Sequence, residues 1–237
     1  MEIVNLGSIY LGGTVQTPGF DCGESESISL GDTAPGREIH WVKLQSGLLI
    51  ADRCVCTGVS WKQLNEKSFV FGTPITIDGE TYWCRCLKVG VKEDDPNEWD
   101  AALDEAGEDN TLWHWKNEYF WGQETSKYVA SYRACRGFDS ARYWRFSTAS
   151  TRNVDVGFRP ALESLGSVPC SPDTLMGKAI KAYFPGGATI EGLLVDFSDY
   201  DIVLRSSTQP FADFPRAMKD GCNLVVSREN IIWLKET

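Results

Sequence analysis

Up to about residue 166 the apolar positions fall in short runs, each broken by Gly, Asp or a polar cluster. The runs SGLLIADRCVCTGVSW, KSFVFGTPITIDGETYWCRCLKVG and FRPALESLG predict strands, and Ile77-Asp78-Gly79-Glu80 supplies a hairpin turn between two of them. One helix is predicted in DDPNEWDAALDEAGEDN, where Asn97 caps the start, Asp100 reaches back to it and Gly107 ends it. Its acidic residues read as a solvated face rather than a calcium loop. VPCSPDTLMG, with two prolines among turn formers, marks a boundary. Beyond it, KAIKAYFP, ATIEGLLVDFSDYDIVLRSS, CNLVVSRE and NIIWLKE give the strands and length of a small five-stranded barrel. The expected organisation is therefore a first domain over 1–168, a linker over 169–174 and a second domain over 175–237.

Composition narrows the function classes. With 237 residues and 42% hydrophobic content the chain can bury a sizeable core. No apolar run approaches the roughly 20 residues of a spanning helix, and MEIVNLGSIYLGG lacks a basic n-region. The expectation is no membrane partner, no secretory signal, and a place in the cytoplasm or in a virion. The net charge of −10 opposes a broad electrostatic grip on nucleic acid.

Eight cysteines form no secreted scaffold. Cys54 with Cys56 and Cys84 with Cys86 each share a face if extended. Buried free thiols fit this spacing better than zinc ligands, which usually sit around a two-residue spacer. With only His40 and His114 available, no Ser/His/Asp or Cys/His arrangement is legible. Pro185-Gly186-Gly187 lacks the Lys-Ser/Thr of a phosphate loop. A non-enzymatic protein without cofactor or metal is expected.

The nine tryptophans raise a separate question. In WHWKNEYFWGQ, Trp113, Trp115 and Trp121 either form a stacking platform for a sugar or base, or plug a loop-rich core. Arg136-Gly137-Phe138 and Gly157-Phe158-Arg159 each place Gly where the backbone must approach closely or turn. Arg159 is expected to satisfy loop carbonyls rather than clamp a ligand.

The order of NEWDAALDEAGEDNTLWHWKNEYFWGQE, YRACRGFDSARYW and VGFRPALE resembles the C-type-lectin-like fold of the formylglycine-generating-enzyme kind. That fold also houses the variable proteins of diversity-generating retroelements. The nearest likeness is to Gly-Phe-Arg-Pro-ending domains of Firmicutes and their prophages. The resemblance implies an α+β first domain and a ligand face over 140–153. Its implied contacts are Tyr143, Trp144, Arg145, Ser147, Thr148, Ser150, Arg152 and Asn153. The cysteine chemistry of the formylglycine-generating enzymes finds no matching pair here.

In the tail, Gly192, Phe197, Tyr200 and Leu204 match the spacing Gly-x4-Phe-x2-aromatic-x3-Leu of the first Sm motif, and NLVVSRENIIWL resembles the second. This implies an all-β Sm-like five-stranded barrel, with Phe197 and Tyr200 filling it, that pairs edge strands into a homo-oligomer. RNA or nucleotide binding transfers weakly: Ser227-Arg228-Glu229 replaces the usual turn, leaving Arg228 and Asn230 as candidates. From Cys170 onward there are 7 basic and 9 acidic residues.

Three readings follow. The first is a phage or prophage protein that recognises a protein or glycan ligand through a lectin-like face and is multimerised by the barrel. The second is a cytosolic anti-defence protein, anti-CRISPR-like, that inhibits a host immune effector or sequesters its nucleotide signal. The third is an Sm-like RNA-binding protein.

Overall fold

The computed structural model describes residues 2–23, 27–92, 94–167, 169–206 and 217–237. The chain divides into two compact units, Met1–Ser164 and Leu165–Thr237. Val168, where the first domain was expected to end, lies outside the described residues.

The first unit contains β1 (Glu2–Asn5), β2 (Ser8–Leu11), β3 (Thr14–Val15), β4 (Phe20–Asp21), β5 (Ile28–Gly31), β6 (His40–Lys43), β7 (Leu49–Ala51) and β8 (Cys56–Thr57). Helix α1 (Trp61–Glu66), β9 (Thr73–Ile77) and β10 (Glu80–Cys86) follow. Next come α2 (Glu98–Ala106), α3 (Asn110–Trp113), β11 (Tyr119–Thr125), β12 (Tyr132–Gly137), β13 (Trp144–Thr148) and β14 (Val156–Phe158). Strand β15 (Pro160–Gly166) runs across the division between the units. One six-stranded sheet has the order β1-β6-β7-β15-β10-β9 and a second the order β13-β12-β11-β14-β8-β4, with β3-β2-β5 as a small third.

Strands hold 45% of the structure and helices 13%, so the fold is largely all-β, not the expected α+β. The physical reason lies in the apolar runs. They are short and rich in Val, Ile, Trp, Tyr and Cys, which suit a pleated surface buried on both sides. Adjacent residues of one strand enter different cores: Trp41 and Leu49 join one cluster, Val42 and Ile50 the other. Among the described residues only α2 exceeds two turns.

Local signals explain the turns and caps. Asp78 (φ 52°) and Gly79 (φ 85°) are both left-handed, the geometry a two-residue hairpin between β9 and β10 requires. The Asn97 side chain accepts from the Asp100 N–H and its amide donates to the Asp100 carboxylate, while Gly107 at φ 84° ends α2. Asn97→Ala should cost about 1 kcal/mol, measured as a lowered urea midpoint with unchanged slope. Helix α1 fills the gap between two predicted strand runs, one ending at Trp61 and the next starting at Lys67, and was not foreseen. Ser60 and Gln63 form a reciprocal capping box there, and that Ser-x-x-Gln spacing was the missed signal.

The second unit contains α4 (Pro172–Leu175), β16 (Ala179–Tyr183), β17 (Thr189–Phe197), β18 (Asp201–Arg205), β19 (Ala217–Asp220), β20 (Asn223–Ser227) and β21 (Trp233–Glu236). They form one antiparallel six-stranded sheet, β19-β20-β18-β17-β16-β21, in place of the expected five-stranded barrel. The extra member is β19, which pairs along the outer side of β20. A register shift between Leu194 and Asp196 bends β17 around a core of Ile180, Leu194, Ile202, Leu204 and Leu224. Phe197 packs against that core, but Tyr200 is 79% exposed and fills nothing. Among the described residues no helix is long and apolar enough to cross a membrane.

Candidate functional site

Strand β13 is the end strand of its sheet and carries the centre of the expected ligand face. The pleat splits that face in two. Trp144 and Phe146 turn inward, 4.5 Å apart edge to face, and pack on the core that holds α2. The Trp144 indole N–H donates to the Gly90 carbonyl at 3.1 Å. Arg145 and Ser147 take the other side.

Arg145 sits opposite Cys135 in the ladder, and Tyr119 sits opposite Gly137, two residues further along the same face of β12. A Cβ on Gly137 (φ 100°) would meet the Glu118 carbonyl oxygen at 2.4 Å. With no side chain there, Arg145 crosses β12 and its guanidinium lies 4.2 Å over the Tyr119 ring. Tyr119 is itself stacked on Phe138, at 4.6 Å and 6°. Tyr143 lies 6.2 Å from Tyr119 and keeps 38% of its surface exposed. Burial pushes the Tyr119 phenol up, against the downward pull of Arg145. On the same face Arg133, opposite Ser147, stacks 4.2 Å over Trp61.

The other candidates separate by exposure. Ser150 and Asn153 are exposed, and Thr148 is partly buried, its hydroxyl 2.6 Å from that of Thr151. Ser147 is buried and donates to the same Thr151 oxygen. Arg152 donates to the carbonyls of Gly58 and Gly23, which makes it a clamp between loops rather than a ligand contact.

The tryptophan question is settled by burial. Trp113 and Trp121 have no exposed surface, and their indole N–H groups donate to Gly107 and Val59 carbonyls. Trp115 is partly buried and donates to the Glu108 carbonyl at 2.8 Å. Trp113 and Trp121 therefore leave the ligand face and join the core. In the second unit Arg228 donates to the Ser198 carbonyl at 2.6 Å and lines a cavity of about 160 Å³. Asn230 closes the short turn Arg228–Asn230.

Buried arginines hold the face in place. Arg136 has no exposure, and it donates to the Val89 and Arg142 carbonyls and to the Asp100 carboxylate. It thus ties β12 to the capped end of α2. Arg159 is equally buried and donates to the carbonyls of Ala51, Asp52 and Trp113, the role its motif suggested.

One cluster escaped the sequence reading. Both histidines of the chain approach the same buried carboxylate oxygen, Asp52 Oδ2, with His114 Nδ1 at 3.5 Å and His40 Nδ1 at 3.9 Å. Arg53 binds that carboxylate through Nε and Nη2 at 3.1 and 2.9 Å. Asp52, Arg53 and His40 border a cavity of about 180 Å³ that Thr17 and Arg37 also line. Glu118 lies close by, its carboxyl pushed up by burial although Arg159 and Arg53 pull it down. The nearest thiol, Cys54, is pushed well above the ordinary thiol range by burial, which removes it as a nucleophile.

Cys54, Cys56, Cys84 and Cys86 are fully buried, as their spacing suggested, although Cys54 joins a different core from the other three. Burial pushes the Cys84 and Cys86 thiols up; Cys56 is raised first by its contact with Cys22 and then by burial. Among the described residues no group of three or more His, Cys, Asp or Glu side chains is arranged to hold a metal ion. Iodoacetamide on the native protein should modify exposed Cys222 first and half-buried Cys170 next, sparing the six buried thiols; peptide mass mapping reads the order.

No family model, no curated protein and no solved structure matches the chain.

Proposed function

We propose that the chain is a non-enzymatic recognition protein of a phage or prophage, in which the first unit reads a protein or glycan and the second multiplies copies of it. The observation that carries this reading is the Arg145–Tyr119–Phe138 stack beside the exposed ring of Tyr143, on the end strand of a sheet. The aromatic area open to a ligand there is the Tyr143 ring, backed by the buried Tyr119 that holds Arg145 in place. Ser150 and Asn153 extend it with exposed polar groups. The phage setting comes from the sequence resemblance alone. In the second unit β19 and β21 form the two ends of the sheet, and Met218 on β19 is 73% exposed, which suits edge pairing between copies. Assembly would raise avidity by about 10² to 10⁴ without new contacts.

The test is an array of immobilised saccharides and peptides probed with the intact chain. Binding to a defined subset is expected, abolished in Tyr143→Ala and Asn153→Lys at unchanged Tm. A silent array, or binding indifferent to both substitutions, overturns the reading. Sedimentation of the intact chain tests assembly: a monomer at micromolar concentration removes the second unit's role.

A further inference from the structure

The ligand face holds two guanidiniums in an uncommon state. Arg145 and Arg133 each lie 4.2 Å over an aromatic ring, and the Nε of each is buried with no hydrogen-bond partner; Arg133 Nη1 donates to the Ala130 and Tyr132 carbonyls, which leaves its Nη2 for a ligand. Neither forms an ion pair among the described residues, unlike Arg53, Arg85, Arg136 and Arg142; core Arg159 shares the unpartnered Nε, but its other nitrogens are spent on three carbonyls. Taking a guanidinium partly out of water without a counter-charge is costly. In a chain of net charge −10, two such groups on one side of one strand pair are a local exception to the overall field.

The register fixes their spacing. Arg133 opposes Ser147 and Arg145 opposes Cys135, so the two arginines are diagonal neighbours on one face, with Cβ atoms roughly 7–8 Å apart. They reach away from each other, one toward Trp61 in α1 and the other toward Tyr119 in β11. The backbone of Lys62, whose N–H donates to the Ala149 carbonyl, runs beside the end of β13, with its ammonium paired to Glu66 at 4.0 Å and so taking no part in the face's charge. Separated charges of one sign suit a ligand with repeated oxyanions. Between and around them the face is hydroxylic and aromatic: Thr148, Thr151 and Ser147 share a hydroxyl chain, and Tyr143 exposes its ring.

We propose that this face takes an acidic saccharide, with carboxylate or sulfate groups bonded to Arg145 and Arg133 and a sugar ring laid against Tyr143. The oxyanions supply the counter-charge the two guanidiniums lack, and planar donors match them in a fork. The hydroxyl chain and the exposed Ser150 and Asn153 meet the sugar hydroxyls. Nucleic acid is disfavoured because the surrounding chain repels a continuous phosphate backbone. The inference rests on the recognition reading above and adds the ligand's charge and class.

Calorimetric titration of the intact chain tests it with five probes: an oligogalacturonate, a sulfated heparin oligosaccharide, a neutral malto-oligosaccharide of the same length, hexaglutamate, and inorganic sulfate. Binding of at least one of the two acidic saccharides is expected, weakening as salt rises above roughly 0.1 M. Arg145→Gln and Arg133→Gln should each weaken it by about 10- to 100-fold. Arg145→Lys and Arg133→Lys, which keep the charge, should recover part of the affinity and guard against a folding defect. Binding of the malto-oligosaccharide or hexaglutamate alone, lost in Tyr143→Ala, overturns the acidic-saccharide assignment and leaves the recognition reading standing. Equal response to sulfate and the saccharides, or indifference to the arginine substitutions, also overturns it. If no probe binds, the acidic-saccharide assignment falls, and the array above decides the wider reading separately.

Discussion

Arg159→Ala should destabilise the first unit by about 3–5 kcal/mol, a large part of what a domain of this size holds in reserve. The side chain is fully buried. Its Nη1 donates to the Asp52 and Ala51 carbonyls at 3.0 and 3.3 Å, and its Nη2 to the Trp113 carbonyl at 2.7 Å. The guanidinium also lies 5.0 Å over Trp99 and 4.9 Å over Phe120. Alanine would leave three carbonyls without that donor and open a cavity beneath two aromatic rings. Arg159→Lys should recover little, because one ammonium cannot span carbonyls that a planar fork reaches together. Burial holds the Arg159 guanidinium below its ordinary range, so the cation is retained by contacts that repay desolvation. Urea unfolding followed by tryptophan fluorescence measures the loss. A change under about 1 kcal/mol would show that the carbonyls find other donors.

Gly157→Ala should cost about 3 kcal/mol, the upper end for inserting a methyl group into a packed interior. A Cβ there would sit 2.3 Å from the Cys56 carbonyl oxygen and 2.9 Å from the Cys54 Cβ. Strand β14 is paired on both sides, with β8 through Gly157 and Thr57 and with β11 through Gly157 and Phe120. Neither backbone can retreat without breaking a ladder. Gly122→Ala is the informative contrast. Its Cβ would come within 2.0 Å of Val89 Cγ2, the end of a side chain rather than backbone. The expected order of thermal midpoints is wild type, then Gly122→Ala, then Gly157→Ala; the reverse order would place the strain at the side chain.

Local chemistry in this chain was legible and non-local chemistry was not. Asp78-Gly79 specifies its hairpin through two left-handed residues, and Asn97 with Gly107 brackets α2 through cap geometry, so both are written in a few adjacent positions. The fold class was misjudged because the resemblance suggested helices the apolar runs do not support. Aromatic alternation in WHWKNEYFWGQ hid the burial of Trp121: Tyr119 and Trp121 enter one core and Phe120 the other, so both faces of β11 are dry and alternation carries no exposure signal. The Asp52 cluster joins residues 40, 52 and 114, which only sheet pairing and the loop after α3 bring together. β19 is invisible for a related reason. Ala-Met-Lys-Asp has no strand pattern of its own, and its extension is dictated by β20.

The six enclosed thiols have a consequence for kinetics. Cys84 opposes Thr73 of β9, the Cys86 N–H donates to the Phe69 carbonyl, and neither thiol has exposed surface, so a reagent meets them only when the first unit opens. Cys222, exposed in the second unit, reports the reagent's intrinsic speed in the same tube. The ratio of the two labelling rates is a clock for spontaneous opening, read under native conditions with no denaturant. A ligand that seats on the β13 face and binds only the closed form must slow that clock, whatever its chemical identity.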